Sequence, residues 1–360
     1  MRVWAFVSVA LSVALGGGSA KAETAVERPP QFVAIAFDNC TELDRWREWS
    51  DFAAELNRDG ERIRFTFFVS GINFLSNARK HLYQGPHQSR GASRINFGGS
   101  ADDVRKRVAF INALYRDGHE IASHAVGHFD GRSWGASVWA TEFNSYDDLL
   151  RNVARNNEFP AEEGFAFSPQ DVAGFRAPYL AHSPGLYATL AARGYRYDTS
   201  GTMPSQAWPE KRDGIWRFNL AEIRLAGSGR ATLSMDYNFL VAQSGAVPIA
   251  SRREQFRQQM LDSYLNYFRT NYTGNRAPIH IGHHFTDYQN GAYREALKSF
   301  ARQVCGLPEV RCVTYKTLAN YMDSLKPEIL AAYRKGDFPR ASAPVFASAG
   351  APAETSGAAR

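Results

Sequence analysis

Apolar residues recur along this chain in two alternating rhythms. Short runs rich in β-branched and aromatic side chains occupy residues 32–37, 63–69, 120–124, 172–175, 195–199, 214–225, 278–283 and 310–314. Each predicts a strand. Between most of them the spacing becomes helical. Ser100, with Asp103 three residues on, predicts an N-cap ahead of Val104, Val108, Ile111 and Tyr115 on one face. A second helix is predicted from Ser251, with Glu254 completing a capping box before Phe256, Met260, Tyr264 and Tyr267. A third starts at Ser183 with Pro184 in its first position. Another is expected near Leu43, with Asn39 or Thr41 available as its cap. Strand-helix alternation repeated this often predicts an α/β fold, either a barrel or a doubly wound sheet.

Two stretches interrupt the rhythm, at 76–99 and 129–144, and long loops of this kind serve as lids or binding surfaces. Trp134 and Trp139 in the second suit either stacking on sugar rings or a place in the core. At the N-terminus, Arg2, an apolar run over 3–15 and small residues over 16–22 predict a cleaved secretory leader, residues 1–22. The run is shorter than the roughly 20 residues a spanning helix needs. Export to a periplasmic or extracellular compartment is therefore expected, with no membrane span after cleavage. Cys305 and Cys312 flank a segment whose Gly306 and Pro308 favour a turn, and in an exported chain they predict a disulfide. Cys40 is left as a small, partly buried hydrophobe rather than a reactive thiol. Beyond residue 336 the composition turns to Ala, Ser, Pro and Gly, which predicts a disordered tail over 337–360. A chain of 360 residues with 44% hydrophobic content can bury one large core, and a single catalytic domain over 23–336 is expected. The formal charge of +6 includes Arg2 and Lys21, so cleavage leaves +4, spread without runs. That balance points to no nucleic-acid partner. Oligomeric state is not legible here.

Chemistry enters where strands end. The strand over 32–37 runs into Asp38-Asn39, at the position where barrel and sheet enzymes place reacting groups. His124 and His128 follow another strand four residues apart, within reach of one divalent metal if the segment turns helically. Arg176-Ala177-Pro178-Tyr179 follows a third, and Pro178 holds Ala177 extended, a means of aiming the main-chain N–H of Tyr179. A fourth strand supplies Asp198. In Ile279-His280-Ile281-Gly282-His283-His284, alternation puts Ile281 and His283 on one face.

Taken in order, these elements resemble the five motifs of the polysaccharide deacetylase family, the NodB-like proteins of carbohydrate esterase family 4. Thr-Phe-Asp-Asp is echoed by Ala36-Phe37-Asp38-Asn39, His-Ser/Thr-x-x-His by His124 to His128, and Arg-x-Pro-Tyr by Arg176 to Tyr179. The fourth motif's Asp resembles Asp198, with Trp208 a looser match, and the closing Leu-x-His resembles Ile281-Gly282-His283. The resemblance runs from about residue 32 to 325, and Asn275-Arg276-Ala277-Pro278 is most similar to the chitin deacetylase branch. It implies a distorted (β/α) barrel and metal-dependent hydrolysis of the N-acetyl group on N-acetylglucosamine units of a chitin-like, peptidoglycan or related polysaccharide. It further implies Asp38 as the general base and Arg176 as the group that orients it. His124, His128 and Asn39 would hold a divalent metal, zinc, and the Tyr179 N–H would meet the oxyanion. His283 would be the acid that protonates the leaving amine, supported by Asp198. Two positions depart from the pattern. Asn39 is a neutral and weaker ligand than the family's aspartate, and Ala125 removes a hydroxyl that would brace the histidine loop. If the strand ends one residue differently, His284 replaces His283. The alternative is a carbohydrate-binding protein on the same scaffold with its metal site lost.

Overall fold

The computed structural model describes residues 26–38, 41–344 and 346. The expected leader, Asn39, Cys40 and most of the expected tail lie outside the described residues. Six parallel strands form the body of the main sheet: β1 (Gln31–Asp38), β2 (Thr66–Val69), β3 (Glu120–Ser123), β4 (Gly174–Phe175), β5 (Tyr197–Asp198) and, after two short strands β6 (Thr202–Pro204) and β7 (Glu210–Arg212), β8 (Ile215–Arg217). Then follow β9 (Leu220–Arg224), β10 (Ala231–Leu233), β11 (Ile279–His284) and β12 (Val310–Cys312). The main sheet runs β11-β1-β2-β3-β4-β5-β8-β7, with β12 beside the start of β1, and only β7 is antiparallel to its neighbour. A smaller sheet, β10-β9-β6, bridges the gap between β8 and β11. Its closing link is the contact of Met235 with Gly282, where Gly282 N–H donates to Ser234 O at 2.9 Å. The α/β expectation is met as a distorted barrel whose circuit crosses two sheets. The apolar run over 214–225 accordingly splits. Phe218 N–H still pairs with Asp198 O in the main sheet, whereas Leu220 N–H pairs with Gly201 O beside the small one.

Alternation along the strands sorts side chains into two cores. Phe32, Ala34 and Ala36 of β1 point into the barrel with Phe68, Ala122, Tyr197, Phe218 and Tyr315. Large rings beside alanines and Gly282 fill the narrow interior. Val33, Ile35, Phe37, Phe67, Ile121, Ile279 and Ile281 point outward into the helix layer. Both faces are buried, which is why the strands read as near-continuous apolar runs. The helices are α1 (Leu43–Leu56), α2 (Ala101–Arg116), α3 (Ala136–Arg151), α4 (Val153–Asn157), α5 (Pro184–Ala192), α6 (Asp236–Ser244), α7 (Arg253–Thr273), α8 (Ala292–Val304), α9 (Tyr315–Ser324) and α10 (Pro327–Lys335).

Ser100 and Ser183 cap their helices as expected, Ser100 through a complete box with Asp103. Ser251 does not. A 3-10 turn over Ala250–Arg252 precedes α7, and Glu254 bonds Arg257 instead of a cap. Residues 129–144 are loop only as far as Gly135, because α3 begins at Ala136. Trp139 is fully buried there, donating its ring N–H to Ser183 Oγ, and Trp134 packs on it at 4.8 Å. Both tryptophans are core. The Cys305–Cys312 disulfide is formed. Folded structure reaches past residue 336, since Phe338 is buried against Tyr333. Among the described residues no helix is long and apolar enough to cross a membrane.

Candidate active site

The same alternation that builds the interior delivers polar groups to its open end. On β1 the inward series Phe32, Ala34, Ala36 ends in Asp38; on β3, Ala122 is followed in phase by His124; on β11, His280 and Gly282 are followed by His284. Asp38 and His284 are register partners on neighbouring strands. They line one cavity of about 670 Å³ with His124, His128, Tyr179, Met235 and Tyr288. Barrels place their reacting groups at this carboxyl end of the strands.

Asp38 is buried, and Arg176 donates from Nη1 to its Oδ1 at 2.8 Å. The guanidinium is fixed twice more, by Nε donating to Thr199 Oγ1 at 2.7 Å and by lying 4.4 Å from the Phe68 ring centre. A planar fork held on three sides has one position, so the carboxylate it grips has one too. Gly282 makes room for this: a Cβ there would meet Met235 at 2.7 Å and Arg176 Nη1 at 3.3 Å.

His124 Nδ1 bonds the carbonyl of Arg176 at 2.7 Å, which fixes its tautomer and leaves Nε2 free. His128 lies with its ring 5.1 Å from that of His124, and its Nδ1 is buried without a hydrogen-bond partner. Burial lowers the pKa of both, that of His128 to about 3, and the proximity of His124 adds to the effect on His128. Both are therefore neutral with lone pairs available. Two neutral imidazoles, one oriented through its far nitrogen by a carbonyl, are the donor set a divalent metal such as zinc takes, so these residues fit the metal the resemblance implies. The expected third ligand, Asn39, lies outside the described residues. Among the described residues no group of three His, Cys, Asp or Glu side chains is gathered for a metal.

Tyr179 lines the cavity, with its ring 4.7 Å from that of His128. Its φ of 58° is left-handed, as are those of Leu180, Ala125 and His128 around the same cavity. Left-handed non-glycine residues cost energy and gather where function holds them.

Two expectations are corrected. Ile281 and His283 do share a face, but it is the outward one: Ile281 packs in the sheet-helix core, and His283 Nε2 bonds Tyr264 of α7 at 3.1 Å. Burial lowers its pKa to about 4. His283 is sealed from the cavity, and His284 occupies the expected place. Asp198 is likewise not the partner of an acid. Tyr197 takes the inward phase, so Asp198 points outward and accepts from Ser200 N–H at 3.0 Å and Ser200 Oγ at 2.6 Å. Ser200 Oγ in turn accepts from Ala177 N–H at 2.8 Å, so Asp198 braces the loop that carries Arg176 and Tyr179. Trp208 donates to Asn275 O and stacks on Tyr333, away from the cavity.

The neighbour of His284 is Asp236, which sequence reasoning missed. It begins α6, next to the residue that closes the barrel, and clamps His284 from two directions: Nδ1 to Oδ1 at 2.7 Å and the backbone N–H to Oδ2 at 2.8 Å. Burial works against the His284 cation, but Asp236 outweighs it and raises the pKa above 6.5. Burial works against the Asp236 anion in turn, and His284 outweighs that, lowering its pKa. The only signal in the sequence is an acidic residue between a short strand and a helix, and many chains have one.

No family model matches the chain, and no curated protein matches it. Solved structures do. The chitin deacetylase of the fungal pathogen Colletotrichum lindemuthianum aligns at 13% identity over 83% of this chain and 90% of its own, with a TM-score of 0.44. A mutant form of the peptidoglycan deacetylase of Bacillus subtilis aligns at 12% identity over 84% and 96%, with 0.43. A CE4 family pseudoenzyme from Bacillus anthracis aligns at 6% identity over 81% of this chain and 66% of its own, with 0.42.

Proposed function

We propose that this protein is a metal-dependent N-deacetylase of N-acetylated polysaccharides, of the carbohydrate esterase family 4 type. The observation that carries the reading is the pairing in register of Asp38 and His284 on adjacent strands, facing one cavity across from two neutral histidines. Amide hydrolysis needs a base for the attacking water and an acid for the leaving nitrogen. Asp38, with one oxygen tied to Arg176, takes the proton from water. His284, kept charged by Asp236, delivers one to the departing amine. The acid is therefore supplied by β11 as the motif order implied, one residue later than expected. Tyr179 offers its N–H to the oxyanion. His124 and His128, with Asn39, would hold the metal, which when bound supplies Lewis-acid polarisation of the carbonyl. The reading includes export, supported by the leader-like N-terminus and by a disulfide that an oxidising compartment preserves. The test is acetate release from N-acetylglucosamine oligomers, N-acetylated peptidoglycan fragments and simple acetamides by zinc-loaded protein. Release from a glycan, abolished in Asp38→Asn, is the expected result. Absence of acetate from every glycan, with the protein folded and metal-loaded, overturns the proposal.

A further inference from the structure

The segment Ala125-Val126-Gly127 that joins the two cavity histidines is held in an unfavourable shape. Both Ala125 (φ 58°) and His128 (φ 57°) are left-handed, and neither is glycine. Such a loop keeps its shape only if its surroundings over-determine it. Its carbonyls are taken by backbone donors: Ala125 O by Gly71 N–H, Val126 O by Ile72 N–H and Gly127 O by Arg94 N–H. Ala125 N–H reaches Ser123 Oγ at 3.3 Å. The remaining two amides converge on one atom. Val126 N–H at 2.9 Å and Gly127 N–H at 3.0 Å both donate to Oε1 of Glu142, a buried carboxyl on α3. Tyr83 OH completes the arrangement, 2.8 Å from Oε2 and 3.0 Å from Oε1. Gly127 lets that hydroxyl in, since a Cβ there would meet Tyr83 OH at 2.6 Å and the Phe129 ring at 2.4 Å.

We propose that Glu142, oriented by Tyr83, is the positioning residue that sets the separation of His124 and His128, doing from a remote helix what a loop hydroxyl at position 125 would do locally. Ala125 lacks that hydroxyl. Neither Glu142 nor Tyr83 lines the cavity, so the pair acts through the loop alone. The proposal rests on the reading of His124 and His128 as metal ligands. Partners of this kind typically change metal affinity by about 10- to 100-fold when removed.

The experiment compares wild type, Glu142→Gln and Tyr83→Phe by cobalt(II) and zinc(II) titration against a chelator, alongside hydrogen exchange of the Val126 and Gly127 amides in metal-free protein. Glu120→Gln is the control, because Glu120 is a buried carboxyl at the opposite end of β3 from the loop, bonded to Thr66, Tyr197 and Lys316 and not to Val126 or Gly127. Glu142→Gln should weaken metal binding about 10- to 100-fold and speed exchange at both amides, with kcat recovering at saturating metal. Tyr83→Phe should move both in the same direction by less, and decides the matter if Glu142→Gln does not fold. Glu120→Gln should change melting temperature and leave metal affinity alone. Metal affinity within twofold of wild type in both variants, or equal loss in Glu120→Gln, overturns the proposal. Should wild type itself take up no metal, the deacetylase reading falls, and unchanged exchange at Val126 and Gly127 would then overturn the bracing role separately.

Discussion

Exchanging the roles of two adjacent histidines gives the sharpest test of the site. His284→Gln removes the group that faces the cavity, and a general acid contributes about 10²- to 10⁴-fold in rate. That range is about 3–5 kcal/mol of barrier. The loss should fall on kcat, because the group donates its proton in the transition state, with KM little changed. His283→Gln keeps a polar side chain near Tyr264 and should leave kcat close to wild type. Its cost is in folding, about 1–3 kcal/mol if the buried bond to Tyr264 is lost. The assay is acetate release from N-acetylated chito-oligosaccharides by metal-loaded protein over a pH series, with urea unfolding of each variant. The pH series carries its own sign. The acid must be protonated, so kcat falls as pH rises through the His284 pKa, which stands above 6.5 because Asp236 outweighs the opposing effect of burial. Asp236→Asn removes that support and should move the alkaline limb to lower pH. Equal loss of kcat in a folded His283→Gln, or an alkaline limb unmoved by Asp236→Asn, would refute the assignment.

Arg176→Met leaves Asp38 buried without its cation, and removing one partner of such a pair costs about 3–5 kcal/mol; urea unfolding should register it, and adding Asp38→Asn should restore stability without restoring activity. Asn39→Asp puts an anion where the resemblance places a neutral ligand, so zinc affinity by chelator competition should rise; an unchanged affinity would remove Asn39 from the metal site. His119 and His280 are buried neutral, their pKa values pushed to about 3 by burial from 6.5. The unfolded chain binds these protons first, so stability is complete above pH 6.5 and falls as pH drops toward 3, each group adding up to about 1.4 kcal/mol per pH unit. A urea midpoint flat between pH 6.5 and about 4.5 would contradict this.

The sequence was most legible where one residue's environment follows from its neighbours. Short runs rich in β-branched and aromatic residues marked most of the strands, and Ser100 and Ser183 marked their helix starts because a cap is a local hydrogen bond. Asp38, His124 and Arg176 could be singled out because each stands at or just past the end of a strand, and strand ends converge in a barrel. Parity within β11 was also legible, but its sign was not. Knowing that Ile281 and His283 share a face does not tell which face looks inward when both faces are buried and both carry histidine. The register Asp38 to His284 decides it, and register belongs to two segments far apart in the chain. Asp236 and Glu142 were invisible for the same reason, since each meets its partner only after the barrel closes or a helix docks.

The geometry also weighs against a sugar-binding protein that has lost its chemistry. Asp38 and Arg176 are buried as an ion pair, and Asp236 is buried against two histidines. Taking such charges out of water costs several kcal/mol per ion, and apolar replacements of similar volume are often neutral or stabilising. Left-handed backbone at Ala125, His128, Tyr179 and Leu180 adds strain at the same place. Sugar hydroxyls can be held by neutral donors and acceptors as well as by charged ones, so binding alone gives no reason to bury an inward carboxylate in register with an imidazole. Under the proposed reaction Asp38 and His284 pass protons from and to the reactants, a use that accounts for keeping such groups buried. Stability therefore offers the discriminating measurement: the neutral pair of changes Asp236→Asn with His284→Gln should leave a fold as stable as wild type, or more so, while acetate release is lost. A double variant that keeps full activity would show that the buried dyad serves something other than this reaction.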